Sequence, residues 1–434
     1  MKYLIVGSGT AGTRAALEIR KRDRKSEITV VSDSKYPEFS PCALPFVLHG
    51  KIKSFDEIII RPLEFYKKIA KVDLRLGEKV LKVGDGNAET EKGTLQFDKC
   101  LIATGARPFI PPIPGTEFTN VSDLVTIDDG KKIRAEMKSA KTAVIIGGGL
   151  IGLELADALS SNKIDTTVVE ILPQVFSGLD TDLAGMVQKS LEGAGIKFRL
   201  GEKVTGIEGK GKAEKVLTEK GTLPADLVII ATGVRPNTEI AKESGIGLGE
   251  TGAIKTNDYL ETSKKNIYAA GNCIEAKEFF TGKPVPNNLG TAAERQGLVA
   301  AFNMSGEKQE LRPALNSTII RLGDIEVGRV GITTALAEKF GLKVKSAKFT
   351  GAHLPEYYPG GEDITVKLLS DEKGLLVGAQ FAGAGVLERI EALTFGMQKG
   401  MTAEELAFAE MPYTPPLCPT IDPIRVAATL LMRK

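Results

Sequence analysis

A single cysteine stands among prolines and apolar residues early in the chain, in the sequence FSPCALPFVLHGKI that begins at Phe39. The thiolate of Cys42 could cycle through a mixed disulfide, a persulfide or a sulfenic acid, and two electrons would return it to the thiolate. The run ALPFVLHG predicts a helix from about Pro45, and a helix N-terminus lowers the pKa of a nearby thiol. A cysteine in apolar surroundings is also a common packing residue. The elements around it must decide between these interpretations.

Two stretches of the chain repeat one pattern, in which an apolar strand leads through a glycine-rich turn into a helix: KYLIVGSGTAG and TAVIIGGGLIG. The glycines of such a turn permit a tight bend, bring the backbone close to a pyrophosphate and let the helix pack on the strand. The helix N-terminus then stabilises the phosphate charge. These glycines are Gly7, Gly9, Gly12, Gly147, Gly149 and Gly152. The pattern predicts two dinucleotide sites, with a duplicated domain holding one empty site as the alternative.

Each copy has a second buried strand that ends in a glycine turn, CLIATGARP and VIIATGVRP. These turns add Thr104, Gly105 and Gly233 as candidate cofactor-binding residues. A third short strand, in NIYAAGNCIE, ends at Gly271 and Asn272 and returns the chain to the first site.

An acidic residue about 20 positions after the glycine turn contacts the adenosine ribose in such sites. Glu170 ends the strand TTVVE in the second copy, and no basic residue follows it within residues 171–174 to receive a 2′-phosphate. This favours NADH over NADPH. In the first copy the strand ends with Ser32 and Asp33, and Asp33 either contacts the ribose or caps the loop.

The repeat predicts an α/β chain with two Rossmann-like dinucleotide-binding domains, the second inserted into the first. We place the first domain at residues 1–112 and 246–312 and the inserted domain at residues 113–245. From about Pro313, alternating strands and two helices without a glycine turn predict an α+β C-terminal domain, residues 313–434.

The composition excludes several classes of protein. The 434 residues carry a net charge of +2, so nothing draws the chain generally to nucleic acid or to anionic lipid. No apolar run reaches the ~20 residues of a membrane helix. Because MKYLIVGSG passes directly into a strand, we expect no signal peptide and predict a cytoplasmic protein. The four scattered cysteines and two histidines predict neither a disulfide framework nor a metal site.

Together these motifs resemble the FAD- and NAD(P)H-dependent pyridine nucleotide-disulfide oxidoreductases over essentially the whole chain. FSPCALPFVLHGKI is similar to the single-cysteine branch of that family, which includes coenzyme A-disulfide reductases, NADH oxidases and persulfide or polysulfide reductases. The C-terminal PYTPPLCPTIDPIRVAA and GAHLPEYYPGGEDITVKLL resemble two segments of the same branch.

The resemblance implies that the chain forms a homodimer through its C-terminal domain and binds FAD and NADH. FAD would be held by Gly7, Gly9, Gly12 and Asn272, and NADH by Gly147, Gly149, Gly152 and Glu170. Cys42 would be the redox thiol beside the flavin. Tyr413 and Tyr358 would reach the active site of the partner subunit, where a tyrosine could protonate a leaving thiolate.

Several residues depart from the family pattern. Thr10 stands where peroxidase and oxidase members carry a histidine, which argues against peroxide or oxygen as the acceptor. Asn272 replaces an aspartate on the flavin, and Pro41 replaces an asparagine before the cysteine. Val47 lies five residues after Cys42, where two-cysteine members have their second thiol, so no internal disulfide can close there.

Cys418 and three arginines have two interpretations each. Cys418 stands where relatives have serine, and it is either an isosteric replacement or a second thiol that serves the partner's Cys42. The run IRKRDRK after the first helix is either a solvated helix end or a contact for coenzyme A phosphates. In the second case Arg20 and Arg22 would bind substrate, with Arg14 assisting.

The predicted function is NADH-dependent reduction of a small disulfide, persulfide or polysulfide through Cys42, with coenzyme A-disulfide the leading substrate. The partners are that small sulfur compound and a second copy of the chain, with no nucleic acid and no membrane. The alternatives are an NADH oxidase that uses oxygen and an electron-transfer reductase for a protein such as ferredoxin or rubredoxin.

Overall fold

The computed structural model describes residues 1–434, which form two compact units. The first unit comprises Met1–Phe109, Val125–Lys131 and Gly233–Ala314, and the second comprises Ile110–Leu124, Lys132–Thr232 and Leu315–Lys434. The second unit thus holds most of the predicted inserted domain together with the C-terminal domain, and the predicted three-domain boundaries stay a prediction.

Twenty-five strands and eleven α-helices make up the chain. Up to residue 140 they are β1 Lys2–Val6, α1 Thr10–Arg22, β2 Glu27–Ser32, α2 Leu44–His49, β3 Asp73–Leu76, β4 Val80–Val83, β5 Asn87–Thr90, β6 Gly93–Gln96, β7 Lys99–Ile102, β8 Ala106–Pro108, β9 Val121–Ser122 and α3 Ile127–Glu136. Between residues 141 and 312 they are β10 Thr142–Ile146, α4 Leu150–Ser161, β11 Asp165–Glu170, α5 Thr181–Gly193, β12 Lys197–Leu200, β13 Val204–Glu208, β14 Lys215–Thr218, β15 Gly221–Pro224, β16 Leu227–Ile230, β17 Val234–Pro236, α6 Glu239–Glu243, β18 Ile267–Ala269, β19 Glu275–Lys277, β20 Pro284–Pro286 and α7 Gly290–Met304. The remainder are β21 Thr318–Leu322, β22 Ile325–Gly331, α8 Thr334–Phe340, β23 Lys345–Ala352, β24 Asp363–Ser370, β25 Leu376–Gly383, α9 Val386–Gln398, α10 Ala403–Ala407 and α11 Pro423–Met432. A 3₁₀ turn at Pro41–Ala43 and a π-helical turn at Phe65–Ala70 complete the list of helical segments.

The first unit contains a five-stranded parallel sheet in the order β18-β7-β1-β2-β3. Its strands are nearly continuous apolar runs, as expected for a sheet covered on both faces. Helix α1 buries Ala11, Ala15 and Ile19, and the spacing of three to four residues gives it one apolar face. A separate three-stranded antiparallel sheet is formed by β4, β5 and β6.

The second unit repeats this arrangement with a parallel sheet in the order β12-β11-β10-β16-β9 and a three-stranded sheet of β13, β14 and β15. The same unit contains a five-stranded antiparallel sheet, in the order β21-β22-β25-β24-β23, from the C-terminal part of the chain. The predicted fold class, two Rossmann-like domains and a C-terminal α+β domain, is confirmed. No helix of the structure combines the length and the hydrophobicity that crossing a membrane requires.

Candidate functional site

The first glycine turn connects β1 to α1, and two of its glycines are fixed by close backbone contacts. A Cβ on Gly7, whose φ is +113°, would lie 2.2 Å from the carbonyl oxygen of Ala103, and a Cβ on Gly12 would lie 2.0 Å from that of Gly7. Gly9 differs, because no atom lies within 4 Å of where its Cβ would stand. Its missing side chain leaves open space at the start of α1, as a bound pyrophosphate requires.

The second glycine turn, between β10 and α4, has the same geometry. A Cβ on Gly147, again at a φ of +113°, would meet the oxygen of Ala231 at 2.4 Å, and a Cβ on Gly152 would meet that of Gly147 at 2.0 Å. Gly149 faces open space, as Gly9 does. Since both turns keep the space that a phosphate needs, the residues present fit two dinucleotides.

The acidic residues of the two sites differ in how they are held. The carboxylate of Glu170 accepts hydrogen bonds from the backbone N–H of Gly148 at 2.6 Å and of Leu172 at 2.8 Å. These bonds fix it beside the second glycine turn. Asp33 is exposed, and its carboxylate accepts no hydrogen bond within the protein. Asp33 therefore does not cap its loop, and its carboxylate can accept from a ribose hydroxyl.

The turn after β7 is stabilised by Asn237, a residue that belongs to none of the sequence motifs. The hydroxyl of Thr104 donates to the carbonyl of Asn237 at 2.7 Å, and the Asn237 amide donates to the carbonyl of Thr104 at 2.8 Å. Gly105 and Gly233, in the two corresponding turns, have φ angles of +66° and +98°. Both values lie in the region that favours glycine.

Gly271 and Asn272 follow β18 in the first unit. The N–H of Gly271, whose φ is +87°, donates to Oε1 of Gln296 at 2.6 Å, and Gln296 is fully buried on α7. The side chain of Asn272 is half-buried and makes no hydrogen bond within the protein, so it can bond a ligand. Gln296 has no sequence signature, since it lies in an ordinary alanine-rich helix.

Cys42 lies in the 3₁₀ turn that precedes α2, with its side chain exposed. Backbone pairing fixes the loop before it, because Ser40 N–H donates to the carbonyl of Ile58 and Ile60 N–H donates to that of Glu38, both at 2.9 Å. The helix begins at Leu44, close to the predicted start, and ends at Gly50 with a φ of +88°.

The buried carboxylate of Glu38 adds a second anchor to the Cys42 loop. It accepts from the guanidinium of Arg61 at 3.0 Å and from the hydroxyl of Tyr66 at 3.1 Å. Burial and the Glu38 charge raise the pKa of Tyr66 well above its ordinary value, so the hydroxyl stays protonated and continues to donate. A rigid loop therefore presents the Cys42 thiol at the surface of the first unit.

The other cysteines differ from Cys42 in exposure. Cys100 and Cys273 are both fully buried, and burial raises the pKa of each thiol. Cys418, in the second unit, is half-buried, and its thiol donates to the carbonyl of Pro412 at 3.3 Å.

In the second unit, Tyr413 forms a pair with Tyr357, the residue that precedes the predicted Tyr358. The two hydroxyl groups are hydrogen-bonded to each other, and this bond raises the pKa of Tyr357. Tyr358 is half-buried, and its side chain makes no hydrogen bond. Cys418 belongs to the same segment as Tyr413, since its N–H donates to the carbonyl of Thr414 at 3.0 Å.

The three arginines predicted to bind substrate already have partners in the protein. Arg20 donates to five backbone carbonyls, including those of Ala70 and Lys71. Arg22 pairs with Glu18 and Glu307 and stacks on the ring of Phe302. Arg14 pairs with Glu18 and Glu294.

Glu154 is a further candidate that the sequence did not indicate. It is half-buried on α4, the helix that follows the second glycine turn. Burial and the charge of Asp157, one turn later, raise its pKa to about 7. A carboxyl group that titrates near neutral pH in such a helix is a candidate for a functional role.

Comparison with known proteins agrees with this geometry. Residues 1–297 match the pyridine nucleotide-disulphide oxidoreductase family, and residues 319–422 match the dimerisation domain of that family. The chain therefore belongs to the pyridine nucleotide-disulphide oxidoreductases, which use FAD and NAD(P)H. The predictions of family, enzyme class and cofactors are confirmed, whereas the roles predicted for individual residues stay predictions.

Three similar proteins are informative. The chain is 39% identical over 445 residues to an NADH oxidase of Methanocaldococcus jannaschii, with 100% of this chain and 99% of that protein covered. It is 34% identical to a CoA-dependent NAD(P)H sulfur oxidoreductase of Pyrococcus furiosus, with 99% of each covered. A solved NAD-dependent persulfide reductase from A. fulgidus matches with a TM-score of 0.97 and 31% identity, covering 100% of this chain and 83% of that one.

Proposed function

We propose that this protein uses NADH to reduce a small disulfide, persulfide or polysulfide through Cys42, with coenzyme A-disulfide as the leading substrate. The observation that carries the proposal is the exposed Cys42 thiol on a loop that backbone pairing and the Glu38 network hold rigid. The sulfur oxidoreductase of P. furiosus and the persulfide reductase of A. fulgidus support this substrate class. The four thiols of the chain suit the cytoplasm, where thiols are kept reduced.

The cofactors would be held by the residues around the two glycine turns. FAD would contact the first turn, Asp33, Thr104, Gly105 and Asn272, and NADH would contact the second turn, Glu170 and Gly233. When bound, FAD supplies the transfer of two electrons from NADH to sulfur. The carboxylate of Glu170, fixed by two backbone N–H groups, would accept from the ribose hydroxyls of NADH and repel a 2′-phosphate.

At Cys42, the thiolate attacks one sulfur of a disulfide R–S–S–R. A bond forms between Cys42 and that sulfur, the S–S bond of the substrate breaks, and one thiolate leaves and takes up a proton. Two electrons that originate in NADH then break the mixed disulfide, which releases the second thiol and restores the Cys42 thiolate. The balance is NADH + H⁺ + R–S–S–R → NAD⁺ + 2 R–SH.

The hydrogen-bonded pair Tyr357 and Tyr413 would supply the proton to the leaving thiolate. The match of residues 319–422 to a dimerisation domain supports a homodimer, and we propose that this pair acts at the active site of the partner subunit. Cys418, on the same segment as Tyr413, remains either a serine-like packing residue or a second thiol that serves that site.

The test is anaerobic NADH consumption by the purified protein with coenzyme A-disulfide and with polysulfide, compared with its consumption in the presence of oxygen. The proposal expects turnover with a sulfur acceptor that Cys42→Ser abolishes and that Cys100→Ala, which removes a buried thiol, retains. If neither sulfur compound is reduced above background, or if Cys42→Ser reduces both at the wild-type rate, the proposal fails.

An NADH oxidase is the second candidate function, favoured by the 39% identity to the M. jannaschii protein. Oxygen would then be consumed faster than any sulfur compound is reduced. A third candidate, a reductase for a protein such as ferredoxin, would keep its full NADH-dependent turnover in Cys42→Ser.

Contacts of Arg14 and Arg22 with coenzyme A phosphates remain part of the proposal, whereas Arg20 is held by backbone carbonyls. The Arg22→Met variant would raise the KM for coenzyme A-disulfide and leave the KM for polysulfide unchanged. An equal rise in both KM values would assign Arg22 a purely structural role.

A further inference from the structure

A row of polar side chains crosses the C-terminal sheet of the second unit. Residues that lie directly opposite each other in neighbouring strands share one face of a sheet. One such row runs through all five strands: Thr318, Arg329, Gln380, Lys367 and Lys348. It therefore places three cations and one amide side by side on a single face.

Two aspartates at the start of α5 neutralise the two lysines of this row. Lys367 pairs with Asp180 at 2.8 Å and with Asp182 at 3.0 Å, and Lys348 pairs with Asp182 at 3.0 Å. The hydroxyl of Thr334 also donates to Asp180, at 2.6 Å. Both carboxylates therefore form ion pairs with lysines of the row.

Arg329, the third cation, has no carboxylate partner. One terminal N–H of its guanidinium donates to the carbonyl of Gly178 at 3.0 Å, and its buried Nε has no hydrogen-bond partner in the protein. The Arg329 side chain as a whole is half-buried, and a half-buried cation that meets only a carbonyl dipole loses part of its hydration without gaining a counter-charge. The row therefore carries one positive charge more than the aspartates supply.

The neighbouring amide, Gln380, presents a second buried donor. It is fully buried, and its Oε1 accepts from the N–H of Asp180 at 2.6 Å, which fixes the orientation of the amide. Its Nε2 has no hydrogen-bond partner in the protein. Because Arg329 and Gln380 are directly opposite each other in β22 and β25, their unpartnered N–H groups belong to adjacent side chains.

We propose that Arg329 and Gln380 form a binding site for a small monovalent anion of the size and charge of chloride. A monovalent anion would neutralise the single excess positive charge of the row, whereas a divalent anion would leave the row with a net negative charge. A water molecule would satisfy the N–H groups but would leave the charge of Arg329 uncompensated. The site is distinct from the two dinucleotide sites and does not depend on the proposed function.

The site is linked to the second glycine turn through the loop between β11 and α5. Arg329 holds that loop at Gly178, and the N–H of Phe176 in the same loop donates to the carbonyl of Gly148 at 2.8 Å. Anion binding would therefore stabilise the folded second unit, because the ligand binds the folded state and not the unfolded one.

Bromide, which scatters X-rays anomalously, is the direct probe. Crystals of the wild-type protein soaked in sodium bromide are expected to show an anomalous peak within hydrogen-bond distance of Arg329 Nε and Gln380 Nε2. The absence of a peak there while other surface sites are occupied overturns the proposal, and so does an ordered water at that position.

The second test is thermal unfolding in sodium chloride and in sodium gluconate at equal ionic strength. The Tm of the wild type is expected to be roughly 1–3 °C higher in chloride. The Arg329→Met variant is expected to lose this difference. The Arg321→Met variant, which removes an exposed arginine from β21 of the same sheet, is expected to keep it. Equal Tm values for the wild type in both salts, or equal losses in both variants, contradict an anion site at Arg329.

Discussion

Glu170 is held in place by two backbone N–H groups, so its charge is fixed beside the second glycine turn, where we propose that the ribose of NADH binds. We predict that Glu170→Gln lowers the NADH over NADPH preference, expressed as a ratio of kcat/KM values, by roughly tenfold, or about 1.4 kcal/mol. A neutral amide no longer repels a 2′-phosphate. Asp165→Asn, at the opposite end of the same strand, is the control and should leave the ratio unchanged. An unchanged ratio in Glu170→Gln would show that the carboxylate does not select the cofactor.

The tyrosine pair gives a second prediction at this scale. Tyr413→Phe and Tyr357→Phe should each slow disulfide reduction by roughly 10²-fold, because each removes a hydroxyl from the proposed proton path. Tyr358→Phe is the matched control and should retain wild-type activity. The measurement is kcat with the best sulfur acceptor found. If Tyr358→Phe is slow and the other two variants are active, the proton transfer belongs to Tyr358, as the sequence predicts.

Single residues were predictable where the backbone itself demands a residue type. Gly7 and Gly147 stand where a Cβ would strike a carbonyl oxygen, so their position in the motif identifies them. The pairing of Tyr413 with Tyr357 was not available from sequence, because it depends on the turn in which the N–H of Tyr358 donates to the carbonyl of Pro355 at 2.9 Å. Gln296 and Asn237 could not be predicted from sequence either, because each hydrogen-bonds a residue that is distant along the chain.

At the scale of elements, helix α4 carries a pH-dependent group. Burial raises the pKa of Glu154 from the ordinary value of 4.5 to about 7. The folded state thus binds this proton more tightly than the unfolded state, and stability falls as the pH rises from about 4.5 to about 7. We predict that Glu154→Gln removes this fall and is more stable than the wild type at pH 8 by roughly 2 kcal/mol.

The measurement is the apparent Tm of the wild type and of Glu154→Gln at pH 5 and pH 8. The two proteins should unfold at similar temperatures at pH 5 and separate at pH 8. Glu192→Gln changes an exposed carboxylate on α5 and should follow the wild type at both values. If the Tm difference between the wild type and Glu154→Gln is the same at both pH values, Glu154 does not titrate between them and the prediction is wrong.

The long strands and helices followed from sequence pattern more closely than the short ones. Apolar strands before glycine turns marked β1 and β10, and both parallel sheets agree with the predicted duplication. The C-terminal part has four helices where two were predicted, because α8 and α10, of seven and five residues, are too short to show a helical period. Their N-caps, Thr333 and Thr402, were the available signal, and Thr402 forms a capping box with Glu405.

At the scale of the whole molecule, the C-terminal part exposes large apolar side chains. Phe395 and Phe408 are 68% and 75% exposed, and they lie within the residues that match the dimerisation domain. We predict that the chain is a dimer in solution and that the double variant Phe395→Asp, Phe408→Asp dissociates it. Light scattering coupled to size-exclusion chromatography gives the mass. Ile69→Asp, which changes a residue 70% exposed in the first unit, should remain dimeric, and a dimeric double variant would place the interface elsewhere.

Because the four thiols differ in exposure, the number of alkylated cysteines reports whether the first unit is folded or open. An alkylating reagent added to the folded chain reaches Cys42 and then the half-buried Cys418, whereas Cys100 and Cys273 react only when the structure around them opens. Mass spectrometry would record two labels on the folded protein and four after opening. Because both buried cysteines belong to the first unit, the third and fourth labels time the opening of that unit alone.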